Sequence, residues 1–391
     1  MSKWLKVTIL SISLLTVMSG AAVAPALAEI ARAFPHIGSN SIKMVLTVPC
    51  LLIILGSLIS GRLVSVMKKR SILLIGLSLY LVGGLGAGMV DSFSALLVLR
   101  GILGLGVGLI MPLSISLIAD YYTGDERGRL MGMSTAVSSL GGIIATVLSG
   151  IVAVISWRWS FSIYALGFAV LFLVLCFLPK LEKESAADSE FKAQPLPSSI
   201  YYTAILTFGL LIVFFAIVTS LALFIQNQGW GNANTTGLAL GLTNIFVFGA
   251  GVKFQTVYSR FKSYTVPGGL LLLVVGFTLL SLSHNIYTVL TGLAVFGLGF
   301  GILMPLIYLQ TTSVVSEEMR PRATALVGGC FYLGQFASPL VLSLVGIISG
   351  NYSIRMIFTV LTFALLAAFI VSAVMTIKKS HTLYHKSNET M

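Results

Sequence analysis

Arg100 is the only charged residue between Ala95 and Ala119, a stretch otherwise made of apolar, glycine, serine and proline residues. A guanidinium placed so deep in an apolar helix costs at least ~2.5–3.5 kcal/mol to insert, so it normally faces a cavity or a partner. It can bind an anionic group there or tune a nearby carboxylate. The competing reading is snorkelling, because Arg100 lies about six residues, or about 9 Å, from the outer end of its helix. The acid that belongs to a span and lies toward the same end is Glu29, four residues after Pro25. If the two meet, Glu29 can take and release a proton as Arg100 moves toward or away from it. If they do not, Glu29 is an interfacial glutamate solvated from outside. No acid sits at mid-span, which argues against proton-coupled handling of a cation. Asn244, Tyr308, Gln310, Tyr332 and Gln335 are polar residues within apolar runs; each can line a cavity or bond a neighbouring helix. The four histidines fall in loops or the tail, and Cys50, Cys176 and Cys330 have no ligand spacing. We expect no metal site, no cofactor, and three free, buried thiols.

The elements that must position these residues follow from composition. Of 391 residues, 57% are hydrophobic and 9% charged, against about 25% charged in soluble domains. Such a chain needs the bilayer as its solvent. Twelve apolar windows read as spanning helices, over residues 5–31, 42–66, 71–90, 94–118, 130–154, 159–179, 200–225, 236–258, 265–283, 287–312, 323–348 and 354–377. They lack the period-two alternation of barrel strands. The first run is about 24 residues, too long for the apolar core of a cleaved signal, and we expect it to be retained. The net charge of +12 is scattered over short gaps with no basic stripe, so no nucleic-acid partner is expected. Nineteen of the 24 Lys and Arg residues lie in gaps on one side and four on the other, with Lys43 counted among the four. The positive-inside rule then places both termini in the cytoplasm of a multi-pass protein of the inner or plasma membrane.

The chain repeats itself at an offset of 193. Residues 104–113 read GLGVGLIMPL and residues 297–306 read GLGFGILMPL. The same shift carries Asp125, Arg127 and Arg129 onto Glu318, Arg320 and Arg322, and Gly56, Gly76 and Gly83 onto Gly249, Gly269 and Gly276. Each half therefore holds six spans in the same orientation. We expect an N-terminal bundle over 1–180, a polar linker over 181–198, a C-terminal bundle over 199–378, and a tail over 379–391. The acid–x–Arg–x–Arg loops, with Asp120 and Arg70, suggest ion pairs between bundles that form and break, or simple topogenic charge. The pairs Gly104 and Gly108, and Gly297 and Gly301, permit close helix approach, static or sliding.

Val98-Leu99-Arg100-Gly101 followed by Gly104, Gly106 and Gly108 resembles the fourth-helix motif of the major facilitator superfamily. Asp120, then Asp125-Glu126-Arg127-Gly128-Arg129, resembles its loop between helices 4 and 5, and Trp157-Arg158-Trp159-Ser160-Phe161 the opening of helix 6 in its drug–proton antiporter branches. Two motifs depart from the family's pattern. Ser65 replaces the aspartate of the loop between helices 2 and 3. The helix-5 run at Gly141, Ala145, Thr146, Ser149 and Gly150 lacks the proline, whereas the second half carries Gly334 to Ser338 and then Pro339. The resemblance implies twelve transmembrane helices in two pseudo-symmetric six-helix bundles. It also implies alternating access and proton-coupled export of small amphiphilic compounds or metabolites by a monomer. A proton-linked importer of a small anionic metabolite is the second expectation. A non-transporting receptor is remote, since the longest gap is about 18 residues, and an enzyme lacks a constellation of reactive groups at membrane depth.

Overall fold

The computed structural model describes residues 3–179, 195–316 and 319–389. The described residues form helices and no strands, and twelve of the helical segments are long and apolar enough to cross a membrane. In order these are α1 (Lys3–Ala21) and α2 (Leu27–Ala33), joined by a 3-10 turn at Ala24–Ala26; α3 (Ser39–Val66); α4 (Lys69–Gly86); α5 (Phe93–Tyr121); and α6 (Gly124–Ala153). A 3-10 segment, Trp157–Ala165, leads into α7 (Leu166–Phe177). Then come α8 (Ser198–Asn227), α9 (Ala233–Val252), the short α10 (Phe254–Phe261), α11 (Thr265–Ser281), α12 (Ile286–Ser313), α13 (Arg320–Ser349) and α14 (Ile354–Glu389).

The expected spans stand with three corrections. The window 5–31 breaks at the 3-10 turn Ala24–Ala26, and 159–179 starts inside the 3-10 segment Trp157–Ala165. The window 236–258 is not one helix: α9 ends at Val252, and α10 starts after Lys253. Phe254 is buried while most of α10 is exposed or half-buried, so it is an amphipathic surface turn rather than the end of a span. Outward faces are apolar, as a hydrocarbon solvent requires. Ile144, Leu148 and Ile151 on α6, and Phe168, Phe172 and Leu175 on α7, recur at helical spacing and are exposed.

The described chain packs as two compact units. One comprises Met1–Gly241 with Ala325–Val341, the other Leu242–Thr324 with Leu342–Met391. In the first, α5 is clamped between α3 and α4 by glycines. A Cβ on Gly104 would fall on the Pro49 backbone, one on Gly108 on the Ile53 carbonyl and Gly56, and one on Gly106 on the Gly76 carbonyl. In the second, Gly301 abuts the Val247 carbonyl, Gly297 that of Thr243, and Gly299 that of Gly269. Without glycine, backbones could not approach this closely. Gly141 sits on Leu14, and its repeat partner Gly334 on the Phe208 carbonyl. Pro339 is buried inside α13.

Candidate functional site

Two proline-related defects explain where Arg100 goes. Pro49 has no N–H, so the Val45 carbonyl four residues earlier loses its helical donor. At the break after α1, Val23 turns to the Gly20 carbonyl, which frees the Ser19 carbonyl from its usual partner. Arg100 serves both. Its Nε donates to the Val45 carbonyl (2.8 Å), one terminal nitrogen to the Ser19 carbonyl (2.8 Å), and the other to the Tyr164 hydroxyl (2.8 Å). That hydroxyl in turn donates to the Ser19 carbonyl at 2.7 Å. The guanidinium also lies 5.7 Å from the centre of the Tyr164 ring, and Gly84 leaves room for that ring. Each bond to a charged donor is worth ~1.5–3 kcal/mol, so the three together outweigh the insertion cost.

Two alternatives that the sequence leaves open are decided by the structure. Arg100 is 0% exposed and does not snorkel. Nor is Glu29 among its partners. The Glu29 carboxylate accepts from Gln226 (2.8 Å) and from Arg32 (3.3 Å), and so ties α2 to α8.

Further contacts join the first helices to later ones. The Cys50 thiol on α3 donates to Oε1 of Gln335 on α13 (3.0 Å), and the Tyr332 hydroxyl donates to Sδ of Met111 on α5 (2.9 Å). Gly150 and Gly237 bring α6 and α9 together backbone to backbone. Tyr332 and Gln335 thus belong to one packed region. Asn244 and Gln310 are half-buried and Tyr308 is exposed, all three in the second unit. The thiols are free, but only Cys50 is buried; Cys176 is exposed and Cys330 half-buried.

The loop charges pair locally. Asp120 accepts from Lys69 at 2.9 Å, and Lys69 also donates to Ser116. Lys69 opens α4 and Asp120 lies in the last turn of α5, so each sits at the pole its charge disfavours; the pair offsets both. This pair, like that of Lys6 with Glu126, lies within the first six spans rather than between halves. Arg70 donates to the Leu175 carbonyl, Arg127 and Arg129 are exposed, and Arg320 donates to the Thr312 carbonyl. Arg322 is half-buried, and Glu318 lies outside the described residues, as does most of the expected linker. Arg158 braces the turn before α5 through the carbonyls of Gly88 and Val90 and an ion pair with Asp91.

Sequence reasoning missed Lys69, Tyr164, Gln226 and the burial of Lys43. Pro49 was a usable signal, since the carbonyl four residues before a mid-helix proline needs another donor. Gln226 carried none.

Twelve helices long and apolar enough to cross a membrane define a multi-pass α-helical membrane protein. The sequence profile of the Major Facilitator Superfamily matches residues 9–339 and 259–390, and the chain belongs to that family. It is 24% identical over 331 residues to the multidrug transporter protein MdtP of Bacillus subtilis, covering 66% of this chain and 60% of that protein. It is 26% identical over 249 residues to the riboflavin transporter RibZ of Clostridioides difficile, covering 63% and 50%. The matched regions thus span about half to three-fifths of those relatives. In fold it is similar to the crystal structure of a bacterial homologue of the human lysosomal transporter Spinster (TM-score 0.75, 14% identity, 99% and 98% covered).

Proposed function

We propose that this protein is a secondary active transporter, not an enzyme, that exports small amphiphilic compounds or metabolites in exchange for protons. The observation that carries the reading is the set of contacts tying α2 to α8, α3 to α13 and α6 to α9. They consist of single hydrogen bonds and bare glycine backbone. Such contacts separate at small cost, whereas the glycine clamp of α5 between α3 and α4 is continuous. Alternating access needs that division between rigid bundles and a seam that opens. The relationship to MdtP, a multidrug transporter, supports drug-like solutes. In this reading the halves 1–180 and 199–378 rock about the seam as a monomer in the plasma membrane, with both termini cytoplasmic. Glu29 is the proton carrier, released from Gln226 when the seam opens. Asp120, Arg127, Arg129, Arg320 and Arg322 act on the cytoplasmic side.

Import of a small anionic metabolite is the second reading. It is favoured by the absence of an unpaired mid-span acid among the described residues. Purified protein in liposomes with an imposed pH gradient, challenged with cationic and anionic dyes, tests both. A unit of pH gradient supplies ~1.4 kcal/mol per proton, or about tenfold accumulation. Gradient-dependent movement outward with respect to the cytoplasmic face supports export; movement inward selects the second reading. No gradient-dependent movement of any dye contradicts both.

A further inference from the structure

Lys43 was counted from the sequence among interfacial charges, but it is 2% exposed. It lies four residues into α3, about 6 Å along the axis from Ser39. A lysine there ordinarily extends its ammonium toward the helix N-terminus and into water; this one is covered. The other buried cations among the described residues are accounted for: Arg100 by two carbonyls and a hydroxyl, Lys69 by Asp120 and Ser116. Among the described residues, no hydrogen bond or ion pair holds Lys43. The described carboxylates are engaged elsewhere: Glu29 by Gln226 and Arg32, Asp91 by Arg158, Asp120 by Lys69 and Glu126 by Lys6. Asp125 is exposed at the start of α6.

One turn along the same face, Thr47 is 0% exposed and its hydroxyl also bonds nothing. Five other buried helical threonines, Thr8, Thr146, Thr207, Thr219 and Thr311, donate to the carbonyl four residues back at 2.7–2.8 Å, whereas Thr265, the first residue of α11, also bonds nothing. Thr47 forgoes that bond. An ammonium on a lysine that is 2% exposed and a fully buried hydroxyl at i and i+4, neither bonded within the described residues, match the two oxygens of one anionic group.

We propose that Lys43 and Thr47 form an anion-binding point that takes the carboxylate or phosphate of a small amphiphile. If that amphiphile is the transported solute, the inference rests on the transporter reading and narrows its substrates to anions. The same chemistry could come from a lipid headgroup, and the test separates the two sources.

The full chain is placed in phosphatidylcholine nanodiscs and titrated with carboxyfluorescein or with cationic rhodamine 6G. A second set of discs contains phosphatidylglycerol and no dye. Binding and the thermal unfolding midpoint are read together. Wild type should be stabilised by carboxyfluorescein or by phosphatidylglycerol and be indifferent to rhodamine. The first response identifies a soluble anion, and a response to phosphatidylglycerol alone identifies a headgroup. Lys43→Met should weaken the anion response about tenfold, the loss of one charge-assisted bond. Lys43→Arg should retain it, and Thr47→Val should fall between. Without anion, Lys43→Met should unfold at a higher temperature than wild type, because an uncompensated buried charge is gone. The proposal is overturned if wild type responds to neither anion, if Lys43→Met responds as wild type does, or if Lys43→Met is the less stable protein when empty. Binding is read without transport, so anion binding through Lys43 in a protein that moves no solute would sink the transporter reading and leave this site standing.

Discussion

The two copies of the repeat share most of their close glycine contacts, though Gly56 meets Gly108 while a Cβ on its counterpart Gly249 would meet nothing within 4 Å, and they differ in their chemistry. Gly106 meets Gly76 in the first copy as Gly299 meets Gly269 in the second, and Pro112 and Pro305 occupy matching places in α5 and α12. At the same offset, Arg100 becomes Leu293, Pro49 becomes Leu242 and Tyr164 becomes Ile357. Lys43 becomes Thr236, and Thr47 becomes Leu240. Leu293 and Ile357 are buried apolar residues, and Thr236 donates to the carbonyl four residues back. A proline-free helix frees no carbonyl, so the second copy needs no arginine. Glycine positions are set by how closely backbones approach, which both copies require. Buried charge is set by a task, and the first copy alone retains it among these matched positions.

The largest expected effect is Arg100→Leu, which writes the second copy's residue into the first. It strands the Val45 carbonyl at ~1–3 kcal/mol and leaves the Ser19 carbonyl with the Tyr164 hydroxyl alone. We expect a clear drop in the thermal midpoint in detergent and no gradient-driven transport. Arg100→Lys should rescue partly, since a point charge cannot hold three diverging acceptors as the planar fork does. An Arg100→Leu protein as stable and active as wild type would erase the distinction between the copies.

Next come the glycines. Gly106→Val and Gly299→Val should both reduce folded yield, each by overpacking of about 1–3 kcal/mol or more. Monodisperse yield by size-exclusion chromatography checks this. Loss in one copy only would show that the repeat's packing is not equivalent.

A smaller effect is expected at the cytoplasmic charges. Arg127→Glu or Arg322→Glu should shift the balance of conformations by about 1–3 kcal/mol, read from spin-label distances between cytoplasmic loops. Unchanged distances would leave them as topogenic charges. Smallest is the Lys69–Asp120 pair. A double-mutant cycle with Lys69→Met and Asp120→Asn should give a coupling near 1 kcal/mol, the upper range for pairs that keep some solvent contact. Ser313, at the place of Asp120 in the second copy, should show no coupling with Lys262, which stands in the place of Lys69.

The fold was legible because its signals are one-dimensional. Apolar run length, lysine and arginine in the gaps, and an ungapped repeat place the helices without any knowledge of contacts. The site was legible only in part. Arg100 stood out because a charge in an apolar run needs an explanation, but its partners are backbone carbonyls, which every residue carries and no sequence marks. Glu29 was visible as an acid near a span end; its partner Gln226 is 197 positions away, and only the packing of α2 on α8 joins them. Lys43 was misread because it stands at the edge of the expected span 42–66, where position alone does not separate a wetted lysine from a covered one; burial is decided by the neighbouring helices. Asp120 was singled out for a partner in the other half, but the α4–α5 packing supplies Lys69 first.

Close glycine contacts are common to both copies at most matched positions, while the buried charge at these positions belongs to the first. Gradient-driven dye transport in proteoliposomes, compared at equal folded yield for Tyr164→Phe and for Ile357→Val, tests this claim most directly. Tyr164→Phe keeps the ring and removes only the hydroxyl that bridges Arg100 and the Ser19 carbonyl; Ile357→Val trims one methylene at the matching place. We predict a loss of accumulation of about tenfold or more for the first, the equivalent of one charge-assisted bond, and near wild-type accumulation for the second. Equal transport by the two variants would contradict the claim.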